Sequence, residues 1–464
     1  MSSASPAAAP PSSRAAGSGA PAILRIAVLV LLAGLIVTVV GRLTQPAAPR
    51  EDRSVLTTIG ATPGPLDFAT ALRWADDGVT NGEARIAGGD TSWLAQEIVA
   101  STHLTRARLT TSAADYARAG AALAIGNAEA PPGAGPMLVT AQYAITVHRP
   151  REAVAPIQSY LKQGIPPSDG ERAGAIAMLG DVAFFTGDLE GAKQRYDEAQ
   201  SIWRDPTTEY RLARWHRKAG DPEAAIDSFA RVVKGTRRRM PEFVAQLYIQ
   251  LGALALDEGD WAAAERRFAQ ADQRFPGWWL AKAHRAELRA AQGDVAGAET
   301  LYRAALALTP DPSVMDGYAA LLRSQGRAAE ARAMAARAGA EWDARFRLAP
   351  SAMAGHALEH ELAWGQPTRA LALARANFQL HPDGDAAVLL GWAYLANARA
   401  AEAIAAVEPV ERAGWRGWQT YAVLAEAYAL AGRGTDADAA RKTALEKNPR
   451  AFDAGQSLLW FGTH

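Results

Sequence analysis

Cysteine is absent from all 464 residues. That excludes disulfide frameworks, thiolate zinc sites and cysteine nucleophiles, while leaving the redox compartment open. Net charge is also missing: 49 Lys and Arg balance 49 Asp and Glu, so no bulk electrostatic case exists for binding nucleic acid. No P-loop, no G-x-S-x-G elbow and no dinucleotide fingerprint occurs, and scattered Ser, His and Asp residues define no triad. The chain therefore offers no enzyme signature of the common kinds and calls for no cofactor. What it does have is apolar content, 49% against 21% charged, enough for a large buried core.

That content is periodic. Ten positions, Ala114, His148, Gly187, Gly220, Gly259, Gly293, Gly326, Gly365, Ala398 and Gly432, follow one another at spacings of 33, 34 or 39 residues. Five residues after each stands alanine: Ala119, Ala153, Ala192, Ala225, Ala264, Ala298, Ala331, Ala370, Ala403 and Ala437. A fixed period of this size marks a solenoid of stacked supersecondary units. Within a unit, the residue seven before the anchor is usually small, as at Gly180, Ala213, Gly252 and Ala286. The anchor glycine suits the left-handed cap that ends a first helix. Asp188, Asp221, Asp260 and Asp294 then stand where an N-cap would start a second helix. The alanine lets the two helices approach, and Tyr196, Phe229, Phe268 or Tyr302 supplies a core side chain four residues on. Pro276, Pro310, Pro382 and Pro449, each 17 residues past an anchor, stop the second helix. The three longer spacings place extra residues near 165–171, 235–242 and 341–351.

These residues resemble the tetratricopeptide repeat family, a 34-residue helix-turn-helix. The run Tyr248, Leu251, Gly252, Gly259, Asp260, Ala264, Phe268, Ala271, Pro276 is near the family pattern. The likeness covers about 100–451, strongest over 173–312. It implies an all-α, right-handed α-solenoid of about ten repeats, acting as a scaffold or adaptor that binds peptides or helices of other proteins. The chain then divides into a disordered tail at 1–21, a transmembrane helix at 22–43 and a linker at 44–65. Beyond these come a helical cap or degenerate repeat at 66–99, two degenerate repeats at 100–172, repeats at 173–451 and a C-terminal capping helix at 452–464. Trp74 and Trp93 are expected to anchor the cap.

The transmembrane expectation rests on an unbroken apolar run from Ile26 to Val37 inside Ala22–Gly41, long enough to cross a bilayer core. A cleaved signal peptide is the rival reading. The arginines flanking the run do not choose an orientation, and a short N-terminal tail favours a single-pass protein with its repeats outside the cytoplasm.

In the family, the groove is lined by residues ten, six and three before the anchor. That rule concentrates aromatic and basic side chains at Tyr210, Arg214 and Arg217, with Lys218 adding to the basic spot beside them, flanked by Phe184, Asp181 and Ile249, with Trp392 as a further contact. An acidic-apolar peptide would complement that composition. Other groove positions include Asp316, Glu359 and Glu426. Lys and Asn are absent from the ten-before and six-before positions from 173 onward, so the carboxylate clamp of chaperone-tail readers is missing. One rival remains: His356-Ala357-Leu358-Glu359-His360 fits H-x-x-E-H, which resembles a zinc hydrolase site with two His on one helix face. No downstream carboxylate stands out as a third ligand, and the pentapeptide sits in register with a repeat helix. Arg237, Arg238 and Arg239 form a basic cluster in an inter-repeat loop.

Overall fold

The computed structural model describes residues 64–235 and 241–459. All of them belong to the second of two compact units into which the chain divides, Ile59–His464. The described residues contain α-helices and short 3-10 turns and no strand. Helices α1 (Phe68–Ala87), α2 (Trp93–Thr110) and α3 (Ala113–Glu129) come first. Short α4 (Met137–Thr146) and α5 (Val154–Leu161) follow, separated by a 3-10 turn at Pro150–Ala153.

Eight longer pairs come next. They begin with α6 (Asp169–Phe185) and α7 (Leu189–Ile202), α8 (Pro206–Lys218) and α9 (Pro222–Gly235), α10 (Pro241–Asp257) and α11 (Trp261–Arg274). The central pairs are α12 (Trp279–Ala291) and α13 (Val295–Leu308), then α14 (Pro312–Ser324) and α15 (Ala328–Leu348). The last are α16 (Pro350–Trp364) and α17 (Pro367–Leu380), α18 (Gly384–Ala396) and α19 (Ala400–Arg412), α20 (Trp418–Leu430) and α21 (Gly434–Lys447). A 3-10 turn at Ala454–Leu458 ends the described chain.

Local chemistry explains the pairs. Asp188, Asp221, Asp260 and Asp294 each accept a hydrogen bond from the backbone N–H three residues on, at 2.8–3.0 Å, and so start the second helices. The ten spaced alanines are all buried. Tyr196 and Phe268 are buried against the small residue of their own first helix: a Cβ on Gly180 would stand 2.5 Å from the Tyr196 ring, and one on Gly252 2.2 Å from the Phe268 ring. Burying each such ring contributes about 1.5–3 kcal/mol. Eight of the ten anchors do occupy the left-handed turn, since His148 and Ala398 take positive φ beside six glycines. Two do not. The left-handed residue of the α2–α3 turn is Thr111, and Ala114 lies inside α3; Gly365 ends α16 at φ −103. The extra residues near 341–351 lengthen α15 to 21 residues.

Successive turns of the solenoid touch. Residues 187, 220 and 259 meet residues 382, 416 and 448, separated by 195, 196 and 189 positions. The Arg416 N–H donates to the Lys218 carbonyl at 3.0 Å. The Asn448 amide donates to the Leu256 carbonyl at 3.1 Å. A Cβ on Gly220 would stand 2.8 Å from the Arg416 carbonyl, and one on Gly259 2.7 Å from Asn448 Oδ1. The N-terminal helices join in: Phe68 N–H donates to the Pro276 carbonyl at 3.0 Å, and Trp279 Nε1 to the Leu109 carbonyl at 2.9 Å.

Two expectations need correction. No helix among the described residues is long and apolar enough to cross a membrane, which overturns the single-pass localisation. The segment 22–43 on which it rested lies outside the described residues, as do the tail at 1–21, most of the linker and the Arg237–Arg239 cluster. Trp74 is no core anchor either, being 58% exposed.

Candidate functional site

The first helices α6, α8 and α10 present one wall of a cleft of about 380 Å³, and the end of α4 supplies the other. Asp181, Phe185, Tyr210, Arg211, Arg214 and Phe243 face Ile145, Thr146 and His148 across it. Three of the residues singled out from sequence, Asp181, Tyr210 and Arg214, are thus brought together.

Their electrostatics differ. Asp181 is saturated: Arg211 Nε donates to both its oxygens at 2.8 and 2.9 Å, and the Tyr196 hydroxyl donates at 3.0 Å. Burial, then the charge of Asp181, pushes the Tyr196 hydroxyl well above its usual range. Arg214 makes no ion pair among the described residues. Its guanidinium lies over the Phe184 and Phe185 rings, 5.6 Å from each centroid. Tyr210 packs with Phe229 and Phe243 at 6.0 and 6.4 Å between centroids. With Asp181 neutralising Arg211, the cleft carries one cation among aromatic faces.

The other residues lie elsewhere. Arg217, only 7% exposed, donates to Asp257 at 2.6 Å, and Asp257 also accepts from Trp418 and Gln419 at 3.3 and 3.1 Å. Lys218 pairs with Asp385 at 2.8 Å. Both belong to the seam that joins α8 to the later turn. Phe184 is buried against Trp415, Ile249 is buried within α10, and Trp392 packs on the cluster around Val407 and Val423. Nothing in the sequence points to the far wall: Ile145, Thr146 and His148 reach the cleft only through the winding of the solenoid.

The H-x-x-E-H residues do not converge. His360 Nδ1 hydrogen bonds to Asp316 at 2.7 Å, whereas the His356 ring stacks on Trp342 with centroids 5.7 Å apart and planes at 13°. Glu359 lies 3.7 Å from His356. Among the described residues no group of three or more His, Asp or Glu side chains is placed to hold a metal ion.

A second cavity, partly open and about 220 Å³, shares Thr146 and His148 with the cleft. Its walls come from α2, α3, the end of α4, α12, α14, α15 and α16. The density of tryptophan in the sequence was its one signal, but nothing local says which indoles share a wall.

No family model and no curated protein matches the chain in sequence. Among solved structures the chain is similar to a tetratricopeptide repeat protein from Parabacteroides merdae, at 16% identity and TM-score 0.32, over 55% of this chain and 99% of the other. It is similar to a tetratricopeptide protein of Thermus thermophilus, at 26% identity and TM-score 0.30, over 39% of this chain and 98% of the other. It is also similar to yeast Tom70, at 13% identity and TM-score 0.40, over 79% of this chain and 88% of the other.

Proposed function

We propose that the chain is a protein-binding scaffold whose cleft beside Arg214 takes an acidic-apolar segment of a partner. The observation that carries this is the guanidinium of Arg214, held over two phenylalanine rings in a cleft walled by Tyr210, Phe185 and Phe243 and free of any ion pair among the described residues. A carboxylate brought there gains a charge-assisted hydrogen bond, and apolar neighbours bury against the rings. Arginine and tyrosine are also the residue types that most often dominate interface energies. Arg217 and Lys218 contribute by fixing α8 to the later turn, which holds the cleft walls at their separation.

The test is selection of displayed random peptides on the full-length protein, followed by affinity measurement with wild type and Arg214→Glu. Selected peptides should carry an acidic residue beside bulky apolar ones. Charge reversal should weaken them at least about tenfold, with thermal midpoint unchanged. Peptides without an acidic residue, or equal affinity for the folded variant, would remove the cleft from the account.

A further inference from the structure

We propose that the partly open cavity beside the cleft receives a tyrosine side chain of the partner segment. The proposal rests on the scaffold reading for the source of its occupant, and on the cavity's own chemistry for the choice of side chain. Thr146 and His148 line both spaces, which sets the cavity next to whatever the cleft holds.

The walls are aromatic and fixed. Trp278, Trp279 and Trp342 are each at most 4% exposed. Trp279 donates to the Leu109 carbonyl at 2.9 Å, while Trp342 donates to Asp316 at 2.8 Å and stacks on the His356 ring. Leu280 and Met353 add apolar surface. A ring entering there meets aromatic faces and edges that need no further ordering. The volume of about 220 Å³ exceeds the roughly 150 Å³ that admits benzene to an apolar cavity, so there is room for a substituted ring. Charge and hydrogen bonding make the selection.

Charge disfavours an ionised occupant. Arg345 pairs with Asp311 at 3.0 Å, and Arg108 with Glu242 at 2.8 Å. Asp316 accepts from Trp342 and hydrogen bonds to His360 at 2.7 Å, and Glu359 stands 3.7 Å from His356. Each charged group of the lining is thus engaged, and an incoming ion would lose its water without gaining a counter-charge.

Two neutral groups of the lining are not engaged. Among the described residues the Trp278 indole N–H has no acceptor and the Tyr116 hydroxyl has no hydrogen-bond partner. Burial raises the Tyr116 hydroxyl above its usual range, which keeps it neutral. Buried polar groups without partners are costly, so an occupant that supplies them is favoured. A phenol does so with one atom: its oxygen accepts an N–H, and its hydroxyl exchanges a hydrogen bond with another hydroxyl. A phenylalanine ring offers neither.

Ligand-observed NMR titration of the full-length protein with 4-methylphenol, the tyrosine side chain in isolation, tests the cavity without any peptide. It should bind saturably with Kd below about 5 mM. Toluene should bind severalfold more weakly, and 4-methylbenzoate and 4-methylbenzylammonium at least about tenfold more weakly. At unchanged helicity, Tyr116→Phe and Trp278→Phe should each shrink the advantage of 4-methylphenol over toluene, whereas Arg214→Glu should leave it as it is. Peptides selected on the protein should carry a tyrosine near their acidic residue. Absence of saturable 4-methylphenol binding, equal binding of toluene or of either ion, or an advantage intact in both phenylalanine variants would overturn the proposal. Selected peptides without tyrosine, with 4-methylphenol still bound, would overturn the cavity's part in partner binding. Loss of the acidic preference at Arg214 would leave 4-methylphenol binding intact, so the two readings fail separately.

Discussion

The touching turns make a prediction that two glycines in equivalent positions can decide. Gly259 and Gly293 both occupy the left-handed turn between paired helices, at φ +72 and +85. Alanine at either place costs about 1–2 kcal/mol for that conformation. Around Gly293 nothing lies within 4 Å of the added Cβ, so the cost ends there. At Gly259 the Cβ would stand 2.7 Å from Asn448 Oδ1 and 3.3 Å from Pro449 Cδ. Asn448 is buried and cannot swing aside freely, because its amide donates to the Leu256 carbonyl and its Oδ1 accepts from the Arg450 N–H at 2.9 Å. Displacing it would break two hydrogen bonds in a buried place, an extra cost of about 1–3 kcal/mol. Hydrogen exchange measured by mass spectrometry should therefore show faster exchange in the last turn of α21 and in 448–451 for Gly259→Ala, by about tenfold for each 1.4 kcal/mol. Gly293→Ala should leave that segment protected. Equal protection of 448–451 in the two variants would refute the contact between turns.

Three further outcomes follow from the packing. Ala264→Leu and Ala298→Leu each overpack a fully buried contact between paired helices and should cost about 1–3 kcal/mol, read from urea midpoints; unchanged midpoints would contradict the pairing. Burial opposes ionisation of the Asp115 carboxyl, but hydrogen bonds from His103 and Arg106 outweigh it and lower its pKa from 3.8 to about 2. A lowered carboxyl adds stability above its ordinary pKa and loses it as pH falls, so the stability gap between wild type and Asp115→Asn should shrink by about 2 kcal/mol between pH of about 5 and about 2; a gap that does not move with pH contradicts this. Because His360 is held by Asp316 and His356 by Trp342, a chelator should leave the thermal midpoint unchanged; stoichiometric zinc lost on His356→Ala would restore the metal reading.

Much of the architecture could be read from local chemistry, because a helix pair is a local object. Aspartate caps, small residues facing rings and proline stops act within about 34 residues, and the structure shows each of them. The left-handed anchors were legible even at His148 and Ala398, where spacing outweighed side-chain type. The first unit misled for a plain reason: in an alanine-rich stretch Ala114 and Ala119 satisfied the spacing, while the actual turn lies at Thr111. The candidate site was legible only in part. A position three before an anchor puts Arg217 on the first-helix face, but whether it meets solvent or Asp257 depends on the angle between neighbouring units. Contacts such as Lys218 with Asp385, or Trp279 with Leu109, depend on rotation accumulated over many units and on each longer loop. No local pattern encodes that sum, so both the far wall of the cleft and the aromatic cavity emerged from the structure alone.

Lys218 and Asp385 join two turns of the solenoid that lie 167 positions apart in the chain. Zero-length carbodiimide coupling tests that contact on the unaltered chain, because the reagent joins an amine only to a carboxylate already in contact with it. Lys218 Nζ and Asp385 lie 2.8 Å apart, and Asp385 is open enough to be activated. Peptide mapping of the coupled monomer should find an isopeptide bond between Lys218 and Asp385. A coupled monomer in which Lys218 is joined solely to carboxylates of its own or adjacent helix pairs would contradict the account.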